Sequence, residues 1–243
     1  MSLHIGTSGW SYDHWQGVLY PPGLAPAKRL DHYVQRFRTV ELNASYYHWP
    51  RDVTFARWQQ RLPEGFLMTV KAPAGLTHRK RLYEPEYWLD RIGQGLQRLG
   101  DKLGVFLAQL PPGLACDLPR LAYFLEQVPA WLRVAVEFRH PSWHQEAVFD
   151  LLEQHRTAYC VISGARLPCI LRTTAPFAYV RLHGPDPNHL YAGSYSDNDL
   201  QWWAGRIREW AAMERDVFVY FNNDGEGNAV RNADRLKEFL GLK

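Results

Sequence analysis

Thr39-Val40-Glu41-Leu42-Asn43 is short and alternates apolar with polar residues, the pattern of a strand whose two faces meet different surroundings. Seven further runs of strand length recur, at 3–7, 66–71, 104–109, 133–138, 158–162, 178–183 and 216–222. Most of the stretches between them read as amphipathic helix. Leu30, Tyr33, Val34 and Phe37 fall at helical spacing within 28–37, and Leu89, Ile92, Leu96 and Leu99 repeat the spacing. So do Leu118, Leu121, Phe124 and Leu125, then Val148, Leu151 and Leu152. Leu200, Trp203, Ile207 and Trp210 form another such face, and 229–240 supplies the last helix. The sixth connection, 164–176, holds two prolines and is the weakest helix of the set. Eight strand–helix units of about 30 residues match a (β/α)8 TIM-like barrel, here one α/β domain over residues 1–243. A doubly wound sheet would place G-x-G-x-x-G after its first strand, and Gly6-Thr7-Ser8-Gly9-Trp10 lacks that fingerprint.

Composition bounds the function. With 46% hydrophobic and 14% aromatic residues the chain is not a disordered one. A formal charge of +3 excludes a polybasic protein but leaves room for a local basic groove. No apolar run reaches the roughly 20 residues of a membrane helix, and the first residues lack the regions of a signal peptide. Cys116, Cys160 and Cys169 make no C-x-x-C pair. The expected setting is therefore the reducing cytoplasm, with no membrane partner.

Strands of a parallel barrel are covered on both faces, so polar positions within them need a reason. Glu41 and Asn43 alternate with Val40 and Leu42; Thr69 and Lys71 with Met68 and Val70; Glu137 and Arg139 with Val136 and Phe138. Arg181 and His183 alternate with Val180 and Leu182, and Tyr220 and Asn222 with Val219 and Phe221. Gln109 ends a further strand. Apolar members directed to the helices leave the polar ones directed to the barrel axis, near the C-terminal ends where such folds carry their sites. A structural ion-pair network of Glu41, Lys71, Glu137, Arg139 and Arg181 is the competing account of any one of them. As a set they favour a site, because buried ion pairs stabilise less than apolar packing.

The motifs at these strand ends resemble a known family. Gly6-Thr7-Ser8-Gly9-Trp10-Ser11-Tyr12 with Trp15, then Val40-Glu41-Leu42-Asn43 with Tyr46-Tyr47 and Pro50, are its first two. Phe66-Leu67-Met68-Thr69-Val70-Lys71-Ala72-Pro73 with Thr77-His78, and Gln109-Leu110-Pro111-Pro112, follow. Glu137-Phe138-Arg139-His140-Pro141-Ser142-Trp143, Arg181-Leu182-His183-Gly184 and Tyr220-Phe221-Asn222-Asn223-Asp224 complete the series. In that order, over nearly the whole chain, they are similar to the YecE-like family, the domain of unknown function numbered seventy-two. The resemblance implies a barrel and supplies no reaction.

The residue types themselves point to acid–base chemistry on a small polar, anionic or sugar-like substrate. Glu41 or Glu137 is the expected general base, and His183 the group suited to proton transfer near neutrality. Lys71, Arg139 and Arg181 are the expected substrate clamp, with Asn43, Gln109, Asn222, Trp10 and Tyr46 completing the binding set. Hydrolase, lyase and isomerase chemistries all stay open. The cations suit a phosphate or other anion, no resident cofactor is expected, and a divalent metal is disfavoured because ligand spacings such as H-E-x-x-H are missing. Two alternatives stand beside this reading. One is nucleic-acid binding or processing by the aromatic loops and Arg79-Lys80-Arg81; the other is a metabolite sensor without turnover.

Overall fold

The structure, a computed structural model, describes residues 2–242. Eight strands are formed: β1 (Leu3–Thr7), β2 (Thr39–Leu42), β3 (Leu67–Lys71), β4 (Leu103–Gln109), β5 (Val134–Glu137), β6 (Ala158–Ser163), β7 (Phe177–Leu182) and β8 (Asp216–Phe221). They make one sheet in the order β1-β8-β7-β6-β5-β4-β3-β2. The β1–β8, β3–β4, β4–β5, β5–β6 and β7–β8 pairs are parallel. A parallel bridge between Ser8 and Glu41 ties β1 to β2, so the order returns to its start. This is the topology of a (β/α)8 TIM-like barrel. The helices are α1 (Arg29–Tyr33), α2 (Ala44–Tyr47), α3 (Asp52–Arg61), α4 (Pro85–Gln97), α5 (Leu118–Gln127), α6 (Glu146–Gln154), α7 (Asp197–Ala212) and α8 (Asn228–Leu240).

The chain packs as two compact units. The first comprises the residues up to Glu41, Val161–Leu171 and those from Pro176 onward. Its core is built from Ile5, Val40, Val180, Leu182, Val219 and Phe221 under Trp203 and Ile207 of α7 and Val230 and Leu236 of α8, all buried. Gly6 is needed in β1 because a Cβ there would lie 2.4 Å from the Thr39 carbonyl oxygen, far inside contact distance. The opposite faces of these strands carry the polar residues. Thr39 Oγ1 and the Tyr220 hydroxyl are 2.7 Å apart, and Tyr179 and Arg181 both reach Glu41. Thr39, Glu41, Tyr179, Arg181 and Tyr220 therefore share one face, as the alternation requires.

The second unit comprises Leu42–Cys160 and Arg172–Ala175. Phe66, Met68, Val70, Leu107, Val134 and Val136 are buried with Phe55 of α3, Leu96 of α4, Phe124 of α5 and Leu152 of α6. The β3–β4 register slips between Met68 and Val70, so that Met68 faces Leu103 while Lys71 faces Leu107. The slip would orphan a backbone donor, and Thr69 Oγ1 accepts the Val105 N–H at 3.1 Å in its place.

Four local features depart from the sequence reading. The sixth connection forms no helix. Thr174 Oγ1 instead accepts the Tyr159 N–H at 2.7 Å and donates to the Thr157 carbonyl at 2.6 Å, which secures an extended segment against β6. The helix expected over 28–37 shrinks to α1, flanked by turns. Two helices not anticipated, α2 and α3, follow β2; α3 buries only Phe55 and so shows no apolar stripe in the sequence. Finally, Asn43, Arg139, His183 and Asn222 lie just past the strand ends rather than within them.

Candidate functional site

In the first unit, Glu41 stands at the end of β2 with no exposed surface, and Arg181 on β7 is equally buried. Glu41 Oε1 accepts from Ser8 Oγ at 2.6 Å and from Arg181 Nε and Nη2 at 3.2 and 2.7 Å. Glu41 Oε2 accepts from the Tyr179 hydroxyl. Burial, then the Glu41 charge, holds the Tyr179 phenol well above its usual range, so it remains a donor. The carboxylate is thus supplied with donors on both oxygens and locked into an ion pair.

His183 and Asn222 form a second group in that unit. His183 follows β7, keeps the ladder by donating its N–H to the Ser163 carbonyl at 2.7 Å, and has no exposed surface. Asn222 Nδ2 lies 3.2 Å from His183 Nδ1. An amide donor at Nδ1 selects the neutral tautomer with the proton on Nε2. Tyr191 packs edge-on against the imidazole at 5.1 Å between centroids. Gly164 makes room for this ring, since a Cβ there would lie 2.8 Å from His183 Cβ. Neighbouring Tyr195, which donates to Ser163 Oγ at 3.1 Å, has its pKa pushed up to about 12 by burial above all. Trp10, in the loop after β1, presents its carbonyl to the Tyr20 hydroxyl.

The second unit brings together most of the expected binding set. Lys71 ends β3, and its Nζ sits 4.7 Å from the ring centroid of Tyr46 in α2. Ser45 Oγ donates to the Lys71 carbonyl at 2.6 Å and so fixes α2 against β3. Glu137, at the end of β5, lies opposite Gln109 of β4 in the strand register. Arg139 Nε donates to Glu137 Oε1, and the Cys160 thiol approaches Oε2 at 3.8 Å. Glu137 is buried beneath Arg139, whereas Asn43, Tyr46, Lys71, Gln109 and Arg139 remain partly accessible.

Two atoms in this group stand out. Asn43 Oδ1 and Gln109 Oε1 are buried and accept no hydrogen bond. Asn43 occupies the N-cap position of α2, where asparagine ordinarily caps the helix with this oxygen, yet no such bond is made. An unpaired buried acceptor costs about 1–3 kcal/mol, and these two, at the ends of β2 and β4 on either side of β3, are acceptors open to an added donor.

The sequence reading assigned no role to His78. It lies on the π-helical turn Gly75–Arg79 after β3, packs edge-on to Tyr46 at 4.9 Å, and places Nδ1 2.9 Å from Thr77 Oγ1. Burial first, then Lys71 and Arg139, lowers its pKa. Its presence in the Thr77-His78 pair was visible in the sequence, but its approach to Lys71 and Arg139 depends on the turn. Among the described residues, no group of three or more His, Cys, Asp and Glu side chains is arranged to hold a metal ion. None of the described helices is long and apolar enough to cross a membrane.

These features define a (β/α)8 barrel protein with polar residues at its strand ends. The family model described as "Protein of unknown function DUF72" matches residues 4–243, and the chain belongs to that family. It is similar to the UPF0759 protein YunF of Bacillus subtilis (strain 168), 29% identical over 99% of this chain and 95% of the relative. It is also similar to the UPF0759 protein YecE of Escherichia coli (strain K12), 27% identical over 58% of this chain and 50% of that protein. Among solved structures, a DUF72 family protein of Thermotoga maritima MSB8 superposes with a TM-score of 0.89 at 30% identity, covering 99% of this chain and 100% of that one. A DUF72 family protein of Enterococcus faecalis V583 shares the fold with a TM-score of 0.86 at 20% identity, covering 99% and 96%.

Proposed function

We propose that this protein is an enzyme that performs acid–base chemistry on a small, hydroxylated, anionic molecule held at the C-terminal ends of β2 to β5. The observation that carries the reading is the pair of unpaired amide oxygens, Asn43 Oδ1 after β2 and Gln109 Oε1 at the end of β4, with Lys71 at the end of β3 and Arg139 just past β5. Hydroxyl donors of the substrate satisfy the amides, and its anionic group is drawn to the two cations. Glu137 is the general base. Its carboxylate is covered by Arg139 in the free protein, and an anion that engages Arg139 competes for that guanidinium and uncovers the base.

His183, fixed by Asn222, is proposed as the proton-transfer group of the first unit. Glu41 takes a different part: it anchors Arg181 and Tyr179, because its oxygens already accept from Ser8, Tyr179 and Arg181. In the second unit, Tyr46 keeps its proposed supporting role in binding beside Lys71.

The test is a stability screen of the chain against small hydroxy acids and sugar phosphates, followed by product analysis of each stabilising compound. Conversion by the wild type, with E137Q still binding the compound but turning it over at least 100-fold more slowly, is the expected result. Undiminished turnover by E137Q removes Glu137 as the base. A compound that binds and is recovered unchanged makes the protein a sensor instead.

A further inference from the structure

The second unit carries a feature that the proposed chemistry leaves unused, the His78 imidazole, which packs against Tyr46 as Lys71 does and feels the charges of Lys71 and Arg139. We propose that Lys71, His78 and Arg139 form a subsite for a doubly charged oxyanion of the phosphate-monoester type, and that the anion binds together with one proton taken up by His78. This rests on the substrate-site reading above and names the anionic group it would accept.

Three observations lead there. The first is placement: Tyr46 links the groups, since Lys71 Nζ lies 4.7 Å from its centroid and the His78 ring 4.9 Å from it. Arg139 arrives from beyond β5, a separate element, so the cationic character is not an accident of one sequence run. The second is access. Lys71 and His78 are partly exposed and Arg139 keeps 6% of its side-chain surface, while the acid it pairs with, Glu137, keeps none. A solute therefore meets the cations before the carboxylate.

The third is the local potential. The charges that act on His78 are those of Lys71 and Arg139, and both oppose its protonation. Thr77 bonds Nδ1 from its own turn, and Tyr46 covers the ring from α2 with a neutral edge-on contact. The imidazole thus lies in a positive potential. An oxyanion seated there reverses the sign felt by His78 and favours its protonated form, in which both ring nitrogens donate. Lys71 supplies a point charge, Arg139 a planar fork of donors, and His78 a third donor present only when protonated. A dianion gains from all three; a phosphodiester, with one charge, gains less.

The linkage has a definite sign. Binding raises the His78 pKa, so affinity grows as pH falls through the bound-state value and is weakest where the imidazole is neutral in both states. Sulfate stays doubly charged across the working range and isolates this effect. A phosphate monoester loses its second charge near pH 6, and its affinity should pass through a maximum above that pH.

Titration calorimetry of the full chain with sulfate, inorganic phosphate and dimethyl phosphate, at pH 6.0 to 8.0 and in two buffers of unlike ionisation enthalpy, tests the proposal. The wild type is expected to take up about half a proton per sulfate at pH 7, rising toward one at pH 6, and to bind it roughly tenfold more tightly at pH 6 than at pH 8, about 1.4 kcal/mol. His78→Gln should abolish both the proton uptake and the pH dependence while keeping the weak binding that remains at pH 8. Lys71→Gln should weaken sulfate at least tenfold at every pH, and dimethyl phosphate should bind more weakly than either dianion. No sulfate or phosphate binding at millimolar concentration overturns the proposal, and so does an unchanged pH dependence in His78→Gln. Failure here is separable from failure of the enzymatic reading. Anion binding without any converted substrate would leave this subsite standing alone, and turnover of uncharged substrates without anion binding would do the reverse.

Discussion

Glu41 and Arg181 show how a buried charge pair is made tolerable: the carboxylate receives Ser8 and Tyr179 as well as the guanidinium, and neither residue meets solvent. Removing one member of such a pair strands the other in a low-dielectric interior, at a cost of about 3–5 kcal/mol. Glu41→Gln is therefore expected to lower the unfolding free energy by at least about 3 kcal/mol in urea titration. The double variant Glu41→Gln with Arg181→Met should cost less than the sum of the two single changes, since no charge is then left unpaired. A loss under about 1 kcal/mol for Glu41→Gln would contradict the anchoring role. The unpaired oxygens of Asn43 and Gln109 follow opposite logic. Each is a liability in the free protein, so Gln109→Leu should leave stability unchanged or raise it by up to about 1 kcal/mol while weakening ligand binding. A stability loss above about 2 kcal/mol would show that Gln109 supports the fold instead.

At the scale of elements, the β3–β4 slip decides where Lys71 is presented, and Thr69 is the side chain that pays for it through the Val105 N–H. Thr69→Val keeps the shape and removes the acceptor. It should destabilise the chain by about 1–3 kcal/mol and weaken sulfate binding through misplacement of Lys71, both read in one thermal titration series. Unaltered stability would mean that another group satisfies that donor. The strands show what a sequence can and cannot disclose. Period-two alternation assigned Glu41, Tyr220 and Arg181 to one face, because a strand has only two faces and the apolar neighbours claim the other. The slip was invisible, since it arises from how Gly104 and Thr69 meet across strands rather than from either run alone. The 164–176 connection reads as a weak helix, yet Thr174 joins the start of β6 through its hydroxyl, a tertiary bond with no local signature. Among the residues of the proposed site, Lys71, Gln109, Glu137 and Arg139 are legible as polar members of strand ends. His78 was not, because a π-helical turn places it beside Lys71 and Arg139.

For the whole molecule, two histidines in the second unit set the expected response to acid. His78 is held below the usual imidazole value of 6.5 by burial, Lys71 and Arg139, and His144 is held below it by burial. In the unfolded chain both take up protons as pH falls past 6.5, while the folded chain resists; the unfolded state then binds more protons and stability declines with falling pH. Their contribution is complete above that pH and is lost progressively toward the lowered folded values. Asp224 acts in the opposite sense and in a more acidic window. Burial raises its pKa above 3.8, so its destabilising effect is absent below that pH and appears as pH rises through the folded value. Urea midpoints should accordingly fall between pH 7.5 and pH 5.5, and His78→Gln with His144→Gln should flatten that fall; an unaltered slope would assign it to other groups. Saturating sulfate should change the picture only through His78. Sulfate is also excluded from protein surfaces and stabilises folded chains generally, an effect that His78→Gln shares with the wild type. Specific binding at 100 times the dissociation constant adds about 2.7 kcal/mol in the wild type; subtracting the variant, which still binds weakly, leaves only the His78 share, which should grow as the medium becomes more acidic. If the wild type and His78→Gln gain equally from sulfate at pH 6 and at pH 8, the imidazole takes no part in holding the anion.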